Sequence, residues 1–183
     1  MQRVLIIFFA SILFAPDGFS QSSYITREGA VSFFSSAPLE DIEAENNRVQ
    51  AILDNSTGEI NVRMRISDFR FSRALMEKHF NEKFMESHIY PEAGFSGFIE
   101  DFNTFPEDEI PGEVTVRGAL TIHGVTREVR ITGRLEKIGP HYVCNAVFPV
   151  RVEDYDIRIP RIFTRNIAEV VEVTVNFRLA PVN

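Results

Sequence analysis

The sequence predicts an all-β fold, an antiparallel barrel of about eight strands with one helix beside it. Three observations carry this prediction. Apolar and polar residues alternate with a period of two along most of the chain, which is typical of strands with one buried and one solvent-facing side. The strands are joined mostly by short turns, which favours antiparallel pairing, and closure into a barrel removes the exposed sheet edges. A single stretch has a helical period instead.

The alternation is clearest over residues 59–66, where every second residue is apolar. The turn Asn-Ser-Thr-Gly at 55–58 joins this strand to a less regular one before it. The first strand contains Gly29, where we expect a bend. The pattern also predicts a hairpin that turns near 123–126. The remaining predicted strands cover 24–36, 93–100, 114–122, 129–135, 142–150 and 171–179.

Residues 72–86 break the strand period and predict the helix. Ser72 is placed to cap its N-terminus. Met76, Phe80 and Phe84 recur at four-residue steps on one face, and charged residues fill the other face. This apolar stripe packs against the barrel, covers its mouth, or does both.

Composition limits the classes of protein to which the chain can belong. Its 183 residues carry 19 basic and 26 acidic side chains, a net charge of −7, which excludes a generic nucleic-acid binder because such proteins need a concentrated basic surface. The single cysteine excludes an internal disulfide framework and a cysteine-based zinc cluster. That residue, Cys144, lies in an apolar strand pattern that predicts a buried, unreactive thiol. The 17 phenylalanines leave much apolar surface to bury.

Residues 1–20 have the pattern of a secretory signal peptide. Arg3 precedes an apolar run at 4–15 that only Ser11 interrupts, and small residues precede a cleavage position after Ser20. The run is short for a membrane-spanning helix. We therefore expect cleavage near Ser20, a periplasmic or secreted protein, and a single barrel domain at 21–183 without stable membrane insertion of the mature chain. The alternative is an N-terminal membrane anchor that stays attached.

The sequence contains no established motif for catalysis or metal binding. Neither GxSxG nor HExxH occurs, and the four histidines do not have metal-ligand spacing, so we predict no catalytic residues and no metal site. His79, on the predicted helix, bonds either a ligand head group or a nearby carbonyl. His123, beside the hairpin turn, is expected at the surface. If the protein is an enzyme, His79 or His88 is the candidate base.

Several motifs carry a resemblance to a known family. The sequence HFNEKFME at 79–86, followed by YPEAGF at 90–95, resembles a histidine-bearing helix that leads through a YPxxxF segment into a strand. The sequence GALTIHGVTR at 118–127 resembles a GxLTIxGVT(K/R) hairpin, and DYDI at 154–157 resembles the segment before the last strand. Over nearly the whole mature chain the sequence is similar to the YceI-like family of secreted proteins that bind polyisoprenoids or other lipids.

The resemblance implies an extended lipocalin-like barrel that holds a long isoprenoid or fatty chain inside. The resemblance therefore implies an isoprenoid or another long-chain lipid as the binding partner. It implies no cofactor, unless the bound lipid is itself an isoprenoid quinone or a similar molecule. The stretch 35–58 departs from the family pattern, because 43–48 is polar where a glycine-containing segment is usual. The shape of that end of the barrel is therefore left open. So is the oligomeric state, with a dimer among the options.

The ligand-binding candidates are the inward-facing strand residues and the apolar stripe of the helix with its approach. They are Phe33, Met64, Ile66, Phe69, Phe71, Met76, His79, Phe80, Phe84, Phe95, Leu120, Ile122, Val173 and Val175. Gly97 and Gly118 lack side chains within strands, and we expect a void to begin there. The favoured function is a binding protein that encloses an amphipathic lipid. The alternatives are an enzyme that acts on a lipid head group and a packed structural barrel without a ligand.

Overall fold

The fold is an antiparallel β-barrel, seen in a computed structural model that describes residues 23–36, 40–102, 112–159 and 168–182. Its strands are β1 (Ser23–Ser36), β2 (Asp41–Asp54), β3 (Glu59–Arg65), β4 (Arg70–Phe71), β5 (Glu92–Ile99), β6 (Glu113–Ile122), β7 (Val125–Ile138), β8 (His141–Arg151) and β9 (Val170–Pro181). The helix α1 (Ala74–His79) lies between β4 and β5. The predicted leader at 1–20 lies outside the described residues.

Eight strands of the described chain close into a ring through backbone hydrogen bonds. Their order is β1-β9-β8-β7-β6-β5-β3-β2, and β2 returns to pair with β1. All of these pairings are antiparallel. The two-residue strand β4 pairs with Ala44 and Glu45 on β2, beyond the point where β3 ends. The predicted barrel of about eight strands is confirmed.

The two ends of the barrel carry different elements. The helix end has α1, the β6–β7 turn at His123–Gly124 and the tight turn Val152–Tyr155. The opposite end, called the floor from here on, carries the β2–β3 and β7–β8 turns. No helix within the described ranges is long and apolar enough to cross a membrane.

The floor is filled by side chains. Leu53 and Leu179 are fully buried there, and the rings of Tyr24 and Tyr142 meet edge to face with their centroids 4.4 Å apart. The Tyr142 hydroxyl donates a hydrogen bond to Oδ1 of Asn55 in the β2–β3 turn. Burial raises the pKa of this phenol, so the hydroxyl keeps its proton and remains a donor. This end of the barrel is therefore a packed core.

The polar stretch at 43–48 forms the first half of β2. Asn46 points inward and is fully buried. Its Nδ2 donates to the carbonyl oxygen of Arg65 at 2.9 Å, and its Oδ1 accepts the backbone N–H of Arg48 at 2.9 Å. Because a buried polar group without partners costs about 1–3 kcal/mol, these two bonds make a polar residue tolerable at an inward position. The bond to Arg65 also fastens the first half of β2 to the end of β3.

A bulge bends β1 at the predicted place. The register of β1 against β2 shifts on both sides of Gly29. A Cβ on Gly29 would lie 2.6 Å from the ring of Phe177 and 3.1 Å from the carbonyl oxygen of Val49. The bend therefore brings the strand closer to its neighbours than a side chain would allow.

The helix begins later than predicted and is shorter than 72–86. Ser72 does not cap it, because Arg73 holds the position before Ala74 with an extended backbone and no side-chain cap bond. The α-helical turns end at His79, and a π-helical stretch follows, Phe80–Phe84.

The π-helical stretch changes which side chains face the barrel. The N–H of Met85 bonds to the carbonyl of Phe80 at 2.8 Å, five residues back rather than four. The wider turn places Phe80, Phe84 and Met85 together on the side of α1 that faces the interior. The predicted stripe of Met76, Phe80 and Phe84 therefore faces the interior, although its second half is π-helical and not α-helical.

Gly97 and Gly118 do not begin a void. They pair with each other across β5 and β6, and neither lines the interior cavity. A Cβ on Gly118 would lie 2.3 Å from the carbonyl oxygen of Ser96, and one on Gly97 would lie 2.3 Å from that of Arg117. The expectation is wrong because these glycines mark a close approach of two backbones, not missing volume in the interior.

We expect Gly118→Ala to lower the free energy of unfolding by about 1–3 kcal/mol, because its new methyl group meets backbone atoms that cannot move aside. Gly112→Ala is the matched control, since a Cβ there has the Arg134 side chain at 3.6 Å as its nearest neighbour. Urea denaturation followed by circular dichroism measures both variants. A Gly118→Ala barrel as stable as the parent would contradict the close approach.

Candidate functional site

A cavity of about 540 Å³ extends inside the barrel from the helix end toward the floor. All eight ring strands and the helical segment contribute to its wall, which is mainly apolar. Its volume lies in the range of about 300–1,000 Å³ that is typical of small-molecule sites. The floor residues Leu53, Tyr142 and Leu179 are not part of the wall, so the cavity ends above the packed floor.

The structure brings all the predicted ligand-binding residues together in this one cavity. Lining residues from the ring strands, or directly after β3, are Phe33, Met64, Ile66, Phe95, Leu120, Ile122, Val173 and Val175. Those from the helical segment and its approach are Phe69, Phe71, Met76, His79, Phe80 and Phe84. Their contact with a ligand remains a prediction.

An aromatic cluster forms the roof of the cavity. Phe80 lies at its centre, with ring centroids 5.5 Å from Phe33, 5.6 Å from Phe69 and 5.0 Å from Phe71. Such aromatic pairs contribute about 0.5–1.5 kcal/mol each beyond the area they bury. These contacts, together with the packing of Met85 against Ile66 and Ala93, attach the helical segment to the barrel. The roof consists of the rings of Phe33, Phe69, Phe71 and Phe80. These rings line the cavity and also cover it.

Polar groups at the helix end surround the cavity mouth. Arg73 forms an ion pair with Glu40, and both residues line the wall. The pair is partly exposed, so it contributes little stability. Ser35 is buried, and its hydroxyl oxygen accepts the backbone N–H of Ala168 at 2.9 Å, which ties β1 to the segment before β9. His79 is half-buried in the wall, whereas His88 is exposed and lies outside it.

The polar part of the wall contains residues that sequence reasoning missed. Ser35 lies at an inward-facing position of β1, so the alternation in that strand could have identified it as a wall residue. Glu40 and Arg73 lie in segments where apolar and polar residues do not alternate regularly. Arg134 and Asn145 stand on the outward parity of β7 and β8, and yet they line the cavity. Only the three-dimensional arrangement of those two strands reveals them.

His123 is buried, with 8% of its surface exposed, and the expectation of a surface position is wrong. Its Nδ1 lies 3.1 Å from the carbonyl oxygen of Tyr155, and its Nε2 lies 3.2 Å from a carboxylate oxygen of Glu86. The ring of Tyr90 meets the imidazole with centroids 4.3 Å apart. The turn itself is formed as predicted, but the segments at 86–90 and 152–155 fold over it. His123 thus joins three segments at the helix end.

The profile of the YceI-like domain matches residues 25–179, which span β1 to β9. The chain belongs to the YceI-like family. The resemblance drawn from the helix and hairpin motifs is thereby confirmed. A search of curated protein sequences finds no significant match.

Solved structures of other proteins share the fold of this YceI-like protein. A domain from Saccharophagus degradans described as polyisoprenoid binding and implicated in plant cell wall breakdown superimposes with a TM-score of 0.75 at 12% identity, covering 89% of this chain and 100% of that one. BcnA from Burkholderia cenocepacia gives 0.68 at 17% identity, over 83% and 96% of the two chains. The YceI protein of Campylobacter jejuni gives 0.62 at 11% identity, over 98% and 99%. At these identities the likeness concerns the fold.

The wall of this YceI-like barrel also contains its cysteine. Cys144 faces the apolar interior on β8, and loss of solvation raises the pKa of its thiol to about 12. The thiolate is the reactive form, so the thiol is unreactive at neutral pH. Among the described residues, no group of three or more histidine, cysteine and acidic side chains is arranged to hold a metal ion.

We expect Cys144 to react with iodoacetamide at pH 8 at least about 100-fold more slowly than glutathione does, because the thiolate fraction of Cys144 is so small at that pH. The rate should rise about tenfold per pH unit up to pH 11. Mass spectrometry of timed samples measures it, and the urea-unfolded protein, whose thiol is solvated, is the control. A rate that levels off near pH 9 would show that the thiol is not desolvated.

Proposed function

We propose that this YceI-like protein is a periplasmic or secreted binding protein that encloses an amphipathic isoprenoid, or another long-chain lipid, in its barrel cavity. The observation that carries this proposal is the apolar cavity of about 540 Å³, bounded by a packed floor and an aromatic roof. Burial of a hydrocarbon chain there contributes about 25 cal/mol for each Å² removed from water. The fold shared with a domain described as polyisoprenoid binding supports the same class of ligand here.

The proposed role is binding without chemical change of the lipid. Polar groups at the mouth are engaged in structural contacts: Arg73 pairs with Glu40, and the Ser35 hydroxyl oxygen accepts a hydrogen bond from a backbone N–H. His79, which also lies in the wall, is the proposed contact for the head group of the lipid. Met76 and the surrounding phenylalanines adapt to an irregular hydrocarbon chain, because thioether side chains change rotamer easily.

Lipid extraction tests the proposal directly. Protein purified from its native host is extracted with organic solvent, and the extract is analysed by mass spectrometry. We expect a co-purified isoprenoid or other long-chain lipid, because release from an apolar cavity into water is unfavourable. A matched pair of lipid and modified lipid would favour an enzyme instead. An empty extract, together with no uptake of a fluorescent fatty acid, would favour a packed structural barrel.

Phe80→Ala should speed ligand release at least about tenfold while the barrel remains folded, because it removes the ring that contacts the three other aromatic rings of the roof. Phe98→Ala is the matched control, since Phe98 is exposed on the outer face of β5 and is not part of the cavity wall. Stopped-flow dilution of a bound fluorescent fatty acid measures the rate. Equal release rates in the two variants would contradict the role of the roof.

The proposed location requires removal of the leader. Protein secreted by its own host should have Gln21 as its first residue, because the apolar run at 4–15 is read as a signal peptide and cleaved after Ser20. Intact mass spectrometry decides this, and protein expressed without export serves as the uncleaved standard. A mass that still includes residues 1–20 would indicate a tethered protein.

A further inference from the structure

The cavity ends at the same level on two neighbouring strands. On β8 the wall includes Cys144, whereas Tyr142, the next inward residue toward the floor, is not part of it. On β9 the wall includes Phe177 but not Leu179. Phe177 lies opposite Cys144, and Leu179 lies opposite Tyr142, so the two limits coincide. The bottom of the cavity therefore lies between these two pairs.

Leu53 lies at the edge of the cavity bottom. It pairs with Ile60, the lowest inward residue of β3, and only Ile60 of this pair lines the wall. Leu53 and Leu179 are both fully buried. An apolar chain that descends from the helix end therefore meets these two leucine side chains where the cavity stops.

Aromatic contacts hold the floor in place. The ring of Tyr24 meets that of Tyr142, whose hydroxyl group is bonded to Asn55 in the β2–β3 turn. Phe102, which follows β5, packs against the same apolar core. Its ring lies against the β2–β3 turn, where a Cβ on Gly58 would be 2.6 Å from it. A chain cannot pass the floor without breaking these contacts.

The volume above the floor limits how much hydrocarbon the barrel can enclose. A protein cavity of about 150 Å³ accommodates benzene, which has six carbon atoms. On the same scale, the cavity of about 540 Å³ holds about twenty carbon atoms. A chain much longer than this does not fit between the floor and the mouth.

We infer that the floor limits the ligand to one enclosed chain of about twenty carbon atoms, and that Leu53 and Leu179 set this limit. This inference rests on the proposed function. The chain enters with its tail first, because the polar groups of the mouth lie at the helix end and the cavity bottom is apolar. Carbon atoms in excess of this number stay in contact with water and add little to the affinity.

Leu53→Ala and Cys144→Leu test the inference in opposite directions, with Ile52→Ala as the matched control. The first variant opens space at the cavity bottom, and the second fills part of it. Ile52 is next to Leu53 in β2, but it is exposed and is not part of the wall.

The probes are monounsaturated fatty acids that share one head group and differ in length. The series runs from myristoleic acid through oleic, gondoic and erucic acid to nervonic acid. Each acid displaces a fluorescent hydrophobic reporter, and thermal melts establish that every variant is folded.

For the parent we expect the affinity to rise about fourfold for each added methylene group as far as oleic or gondoic acid, and then to level off. Leu53→Ala should move the levelling point toward longer acids by about two to four carbon atoms, because the smaller side chain leaves space for the tail. Cys144→Leu should move it toward shorter acids by about two carbon atoms, because the larger side chain takes up part of the cavity. Ile52→Ala should behave as the parent does.

A parental affinity that keeps rising by the same factor through nervonic acid would overturn the length limit while the proposed function survives. An unchanged levelling point in Cys144→Leu, or in a folded Leu53→Ala, would also overturn the inference alone. Cys144→Leu removes no packing, so it tests the inference even where Leu53→Ala fails to fold. A parent that binds none of the acids would overturn the proposed function itself, and the inference with it.

Discussion

The hydrogen bonds between β1 and β2 close the sheet into a ring, and the interior exists only because of that closure. Both strands are long, and a flat pair of this length would not turn inward; the bulge at Gly29 supplies the bend. Closure then directs every second side chain of eight strands toward one axis. A sheet of the same sequence left open would expose this apolar face to water.

The two ends of the barrel interior differ in how closely their side chains pack. At the floor, leucine and tyrosine side chains fill the barrel and supply the close packing on which a small domain depends. At the helix end, the same alternation of side chains surrounds a cavity, where wall atoms lack packing partners on one side. The barrel is therefore closely packed at its floor and hollow above it.

The sequence was sufficient to predict what depends on local periodicity. Inward residues such as Leu120 and Val173 follow from strict alternation within their own strands, and the hairpin turn follows from its glycine. The predictions that failed depend on contacts with residues that are distant in the sequence. Burial of His123 requires two other segments to fold over its turn, and the space at Gly118 is decided by the backbone of β5. Arg134 stands on the outward parity of β7 and still contributes to the cavity wall, which the pattern of its strand does not encode.

The short helix α1 depends for its order on the barrel against which it packs. Six α-helical residues without a side-chain cap are marginal as an isolated helix, so the folded state of this segment is supported by the Phe80 ring contacts beneath it. Its local unfolding free energy is correspondingly low and rises with any added apolar contact from below. If a lipid fills the cavity as proposed, its contacts with the Phe80 ring add to those that keep the segment folded, so that ligand binding and local folding are coupled.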